Sequence, residues 1–180
     1  MSTKYKVGNS VLELVLGDII MQKTDAIVNA ANSQLAPGGG VSGAIHRGAG
    51  PLLWDECKNL GGCNTGEAKI TRGYDLPANY IIHTVGPVYS SKASDPEDLK
   101  NSYQNSLGIA LENNLKSISF PSISTGVFGY PVKEASYIVL KSIIGWIKQC
   151  PGIELVRMVL HSDQDYNIYR STLDDLLSGE

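Results

Sequence analysis

Apolar and polar positions alternate with two different periods along this chain, and the changes of period mark its elements. Val11-Leu12-Glu13-Leu14-Val15-Leu16 is β-rich and stops at Gly17-Asp18, a strand running into a turn. Asp25-Ala26-Ile27-Val28-Asn29-Ala30 predicts a second, buried strand. Residues 32–40 carry Pro37 and three successive glycines and predict irregular structure. Val41, Ala44, Ile45 and Ala49 fall at helical spacing, which predicts a helix over 42–49, and Pro51 opens another through about Leu60. Further strands are predicted at 67–71, 80–85, 117–120 and 154–160, and helices at 96–113, 132–149 and from about 165 to 177. Strand and helix alternate through the second half, which implies right-handed crossovers and a mixed, largely parallel central sheet. The polar run 90–97 is too short for a linker, and no internal repeat is visible. The expectation is one three-layer α/β/α domain over residues 1–180.

Composition narrows the function. With 180 residues, 42% of them hydrophobic and 18% charged, the chain suits one well-buried core. The net charge is −3 and its cations are scattered, so no polynucleotide partner is expected, because a grip on a nucleic-acid backbone needs a concentrated basic face. A small phosphorylated ligand is compatible with that charge, since backbone N–H groups hold phosphate without lysine. Cys57, Cys63 and Cys150 form no C-x-x-C pair and read as reduced thiols, with no metal site. The first six residues are polar and lead into no signal-peptide core, and no segment approaches the roughly 18 apolar residues of a membrane span. These features predict a soluble, cytoplasmic monomer without membrane contact.

Two loops carry the chemical signal. Gly38-Gly39-Gly40-Val41-Ser42-Gly43 directly precedes a predicted helix, and Ser122-Ile123-Ser124-Thr125-Gly126-Val127-Phe128-Gly129-Tyr130-Pro131 joins a buried strand to another. Glycines let backbone approach a ligand, and successive free N–H groups make an anion-binding concavity. In open α/β sheets such loops gather beyond the carboxyl ends of the strands. The first loop satisfies G-x-G-x-x-G. A dinucleotide fold, however, needs that motif in the tight turn after a strand and an acidic residue about 20 positions on. Here residues 30–37 intervene, and Asp55 and Glu56 come too soon. A P-loop is excluded because no Gly-Lys-Ser/Thr follows. Gly40-Val41-Ser42-Gly43-Ala44 lacks the last glycine of a G-x-S-x-G nucleophile elbow, and His161 and Asp163 stand in the wrong order for that triad.

Several blocks, taken in order, resemble the macro-domain family. They are Gly17-Asp18-Ile19, residues 25–32, Gly38-Gly39-Gly40-Val41 with Gly43-Ala44-Ile45-His46, Thr65-Gly66-Glu67-Ala68, His83-Thr84-Val85-Gly86-Pro87, and Pro121 with Ile123 through Pro131. The similarity is to the MacroD-type branch, which includes enzymes that remove ADP-ribose from acidic side chains and deacetylate O-acetyl-ADP-ribose. The resemblance implies an ADP-ribose or ADP-ribosylated-protein partner and no cofactor. It implies that Asp18 accepts from the adenine amino group, with the Ile19 N–H on the base. Gly39, Gly40 and Val41 and the amides of Ser124, Thr125, Gly126 and Val127 would hold the diphosphate. Asn32 and Phe128 would meet the distal ribose, and His161 would stand where relatives stack an aromatic ring on adenine.

Each assignment has a plainer counterpart. Asp18 is also a good turn or cap residue. Asn29 is assigned mainly to structure, because a buried Asn needs partners for its amide. Ser42 is the departure: MacroD-type hydrolases usually carry Asp there, and a serine hydroxyl is a poor general base. Its plainer use is as a helix N-cap. His46 lies one helical turn after Ser42, suited to a proton carrier or orienting group, while His83, within a strand, reads as a core histidine. Phe128 doubles as a loop plug, and Trp54 and Trp146 read as core. The catalytic set is therefore Asn32, His46 and Ser42. Hydrolysis of ADP-ribose esters is the leading expectation, and a non-catalytic ADP-ribose reader is the alternative that Ser42 favours.

Overall fold

The computed structural model describes residues 1–179. Seven strands form one sheet: β1 (Ser2–Val7), β2 (Ser10–Leu16), β3 (Ala26–Ala30), β4 (Ala68–Arg72), β5 (Tyr80–Thr84), β6 (Ser117–Phe120) and β7 (Leu155–Leu160), in the order β1-β2-β7-β6-β3-β5-β4. The neighbours β2, β7, β6, β3 and β5 pair in parallel, and β1 and β4 close the edges antiparallel. The expected mixed, largely parallel sheet is the one observed.

Helices cover both faces because successive strand residues point to opposite sides. Ala26 and Val28 of β3 face a core shared with α3 (Asp95–Glu112), α4 (Val132–Gln149) and α5 (Asp163–Ser178), in which Tyr103, Tyr166 and Tyr169 are fully buried. Ile27 and the following Ala31 face a smaller core built with Ile45 and Ala49 of α1 (Gly40–Ala49) and Leu53 and Cys57 of α2 (Leu52–Cys57). Trp54 and Trp146 pack at the margins of the two cores rather than inside them.

Several element bounds depart from the sequence expectation. β1 is not marked by an apolar pattern, because only Val7 of its inward residues is an aliphatic core residue and the other two, Thr3 and Tyr5, are fastened by polar contacts. Thr3 Oγ1 lies 2.6 Å from the Tyr166 hydroxyl, and Tyr5 donates to Asp174 Oδ1 at 2.8 Å. Helix α2 ends at Cys57, short of Leu60, since the chain turns toward the left-handed Gly61 and Gly62. Helix α5 starts at Asp163, where Ser162 caps it by accepting from the Asp165 N–H at 3.1 Å. No helix among the described residues is long and apolar enough to cross a membrane.

Candidate functional site

Five parallel neighbours place five carboxyl ends along one edge of the sheet. In strand order the edge carries Asp18 after β2, His161 after β7, the loop 122–131 after β6, the loop 32–40 after β3, and Gly86 beyond β5. Adjacent strands are about 4.8 Å apart, so the three spacings from β2 to β3 span about 14 Å. The two glycine-rich loops therefore leave adjacent strands, with Asp18 and His161 to one side of them.

The first loop is held open from beneath. Leu35 is buried in the α1/α2 core in the left-handed conformation (φ 58°), uncommon for a bulky residue. Asn32 wraps the loop: its Oδ1 accepts from the Gln34 and Ala36 N–H groups at 3.2 and 3.0 Å, and its Nδ2 donates to the Ala36 carbonyl at 2.9 Å. Helix α1 then starts at Gly40 (φ 53°), with Gly39 as N-cap and no side-chain cap, so its first N–H groups remain available to an anion. Ser42 does not cap the helix. It lies inside the first turn, 5% exposed, and its hydroxyl donates to the Ala36 carbonyl at 3.4 Å. Gly43 has to be glycine, because a Cβ there would sit 2.5 Å from the Gly38 carbonyl oxygen.

The second loop is clamped at its base. The Tyr103 hydroxyl donates to the Pro121 carbonyl at 2.9 Å and accepts from the Ile123 N–H at 3.0 Å. The Tyr169 hydroxyl meets Ser122 Oγ at 2.9 Å. Burial raises both phenols' pKa values, so both stay protonated. Above the clamp, Tyr130 N–H donates to the Ser124 carbonyl (2.8 Å) and Gly129 N–H to that of Gly126 (3.0 Å). The N–H groups of Thr125, Gly126, Val127 and Phe128 have no partner among the described residues. Ser124 is left-handed (φ 68°), and its buried hydroxyl is also without a partner among them. Val127 projects fully into solvent, and Phe128 is half-buried, its carbonyl accepting from Tyr89 N–H at 2.8 Å. Gly86 sets the loop's position, since a Cβ there would overlap Ser124 Oγ and Ile123 Cγ2.

Beneath the first loop, between β3, β5 and α1, lies a buried polar layer. His46 is 8% exposed, burial pushes its pKa down, and its Nε2 has no partner among the described residues. His83 is fully buried, and burial, helped by His46, lowers its pKa to about 3, so the ring is neutral. Its Nδ1 lies 3.0 Å from Asn29 Nδ2, and its Nε2 lies 2.9 Å from Thr71 Oγ1 and 3.8 Å from Cys57 Sγ. Burial raises the Cys57 thiol to about 11, which makes it a poor nucleophile.

At the other end, Asp18 serves the local role as well. Its Oδ1 accepts from Ile20 N–H at 3.1 Å and caps a 3-10 turn over Ile19–Met21, yet the side chain is exposed and keeps a second oxygen for a ligand. Ile19 is buried and His161 is exposed on the edge. The sequence assigns no role to Tyr103, Tyr169 or Thr71, and Gly86 enters it only as part of a block. Each acts on a loop or strand distant in the chain, and only the glycine inside His83-Thr84-Val85-Gly86-Pro87 left a local signal. No group of three His, Cys, Asp or Glu side chains among the described residues is placed to hold a metal.

The model of the Macro domain family matches residues 28–139, which span the first loop, α1, the buried polar layer and the whole second loop. The chain belongs to the macro domain family. Its fold superimposes on the Oceanobacillus iheyensis macrodomain with ADP at a TM-score of 0.97 and 44% identity, covering 100% of this chain and 98% of that one. The Trypanosoma brucei macrodomain in complex with ADP-ribose is 42% identical, with a TM-score of 0.85 over 89% of this macro domain and 68% of that chain. Human ADP-ribose glycohydrolase MACROD2 is 47% identical over 93% of this chain, but the match spans only 40% of that relative's length.

Proposed function

We propose that this macro domain binds ADP-ribose along the β2-to-β3 edge and hydrolyses ADP-ribose linked through an ester to a carboxylate. The observation that carries the reading is the pairing of two sets of open backbone donors, the uncapped start of α1 and residues 125–128, on loops from adjacent parallel strands. Backbone N–H groups at a helix start and in a nest take a diphosphate without any lysine. Asp18 lies on the β2 side and takes the adenine, while Asn32, His46 and Phe128 lie toward the other end and take the distal ribose. The relatives' ligands, ADP and ADP-ribose, and the glycohydrolase activity named for the human relative support the same reading.

Hydrolysis asks little of such a site. Water adds its oxygen to the anomeric carbon, the bond to the carboxylate oxygen breaks, and the carboxylate leaves as an anion stable at neutral pH, so no general acid is required. The water's proton passes to neutral His46 or to solvent. Holding the distal ribose rigidly by adenine and diphosphate supplies much of the rate. O-acetyl-ADP-ribose, with its ester on a hydroxyl of the same sugar, is a second substrate by a different step: water adds to the acetyl carbonyl, the acyl C–O bond breaks, the sugar oxygen leaves with a proton from that water, and acetic acid is released and ionises.

A reader without turnover is the second reading, and Ser42 favours it: the hydroxyl is committed to the Ala36 carbonyl and is no base. Incubation with O-acetyl-ADP-ribose and with glutamate-ADP-ribosylated protein, beside Asn32→Ala, separates the two. Release of ADP-ribose that Asn32→Ala abolishes supports the enzyme, and saturable binding without release rules it out for these substrates. Ser42→Asp is expected to raise turnover, and an unchanged or lower rate refutes a catalytic role for that position.

A further inference from the structure

Asn29 Oδ1 is a carbonyl oxygen buried at the C-terminal half of β3 with no hydrogen-bond partner among the described residues. Buried polar atoms left in this state are rare and carry a desolvation cost, so its orientation has to be enforced. A free Asn amide would turn its oxygen toward any donor within reach. What holds this one is readable from its neighbours.

Asn29 Nδ2 carries only hydrogens and stands 3.0 Å from His83 Nδ1, so Nδ1 has to accept. A neutral imidazole bears one proton, which therefore sits on Nε2 and is donated to Thr71 Oγ1 at 2.9 Å. The Thr71 hydroxyl, having accepted, passes its own hydrogen to the Arg72 carbonyl at 3.1 Å. Asn29, His83, Thr71 and Arg72 thus form a one-way chain of donors across β3, β5 and β4. Reversing it would put the proton on Nδ1, turn Thr71 away from Arg72 and flip the Asn29 amide. The strand register sets the chain, because Asn29 is directly opposite His83 in the β3–β5 ladder.

We propose that His83, locked in its Nε2–H tautomer by Thr71, is a positioning residue that keeps the Asn29 carbonyl oxygen turned away from β5, toward the layer shared with His46 beneath the first loop. The ligand-side edge of β3 is thereby given an acceptor rather than a donor, fitted to a ligand hydroxyl or to a water that the ligand holds. The inference rests on the ADP-ribose reading of the site for its functional consequence, but the tautomer itself does not.

Side-chain nitrogen NMR on the native protein decides the tautomer directly, since the chain has only three histidines. His83 is expected to show a protonated Nε2 and a bare Nδ1, and a protonated Nδ1 overturns the proposal. Thr71→Val keeps the shape and removes the acceptor. It should mix the tautomers and weaken ADP-ribose binding about tenfold, roughly one hydrogen bond's worth, while Thr71→Ser restores both. In an Asn29→Ala background, Thr71→Val should cost nothing further in affinity. Additive losses, or a tautomer change with affinity intact, overturn the role. If the native protein binds no ADP-ribose, the reading of the site and the functional half of this inference fail, while the NMR still decides the lock.

Discussion

Ser124 combines two costs that a folded protein normally avoids. Its backbone is left-handed at φ 68°, a conformation that costs an L-residue about 1–2 kcal/mol. Its hydroxyl, 6% exposed by residue, is buried without a partner among the described residues, at about 1–3 kcal/mol. Ser124→Gly removes both and adds about 0.5–1 kcal/mol of chain entropy to the unfolded state. The net is a stabilisation of about 2 kcal/mol, which in a chain of this size raises Tm by about 4–8 °C. Ser124→Ala removes only the hydroxyl, the larger of the two costs, and should gain most of that stabilisation. Scanning calorimetry of the three proteins, followed by ADP-ribose titration, checks both halves of the argument. Strain persists where surrounding structure over-determines it and function uses it, so both variants should bind ADP-ribose more weakly than the native chain. If Ser124→Gly is less stable than native, the strain account is wrong. If it is more stable and binds equally well, the strained serine has no part in ligand binding.

Other outcomes follow from the same geometry. Gly43→Ala puts a Cβ 2.5 Å from the Gly38 carbonyl and 3.0 Å from Arg47 Nη1; the backbone has to shift, and calorimetry should show ADP-ribose affinity falling more than about tenfold. Tyr103→Phe leaves the Pro121 carbonyl and Ile123 N–H without their buried partner and should cost about 2–4 kcal/mol in denaturant unfolding. Stability should fall as pH drops below about 6.5, because unfolded His46 and His83 take up protons that the folded chain refuses, His83 down to about pH 3. The sign follows because the unfolded state binds more protons throughout that window. The slope from His83 approaches about 1.4 kcal/mol per pH unit, His46 adds to it in the same direction, and His83→Gln should remove the His83 share in urea titrations between pH 7 and 5.

Much of this macro domain was legible in one dimension because its signals are local. The period of the apolar residues locates β2, β3, β6 and the long helices, since a strand or helix declares its buried face through its own side-chain spacing. The two glycine-rich loops are legible for a similar reason: close backbone approach permits few residue types, so Gly38–Gly40 and Gly126–Gly129 stand out as text. Chain order likewise puts both loops after buried strands, where a parallel sheet gathers its ligand contacts.

Pairing across the sheet is what no local pattern encodes. β1 stayed hidden because the partners of Thr3 and Tyr5 are Tyr166 and Asp174, more than 160 residues away. Ser42 is a plausible cap by position, yet the glycine turn before it starts α1 earlier and moves the hydroxyl inward to Ala36. His83 reads in sequence as a core histidine, and it is one. Its register opposite Asn29 and the hydroxyl of Thr71 also fix which nitrogen holds the proton. A donor's direction depends on what stands three ångströms from it, and folding alone brings those atoms together.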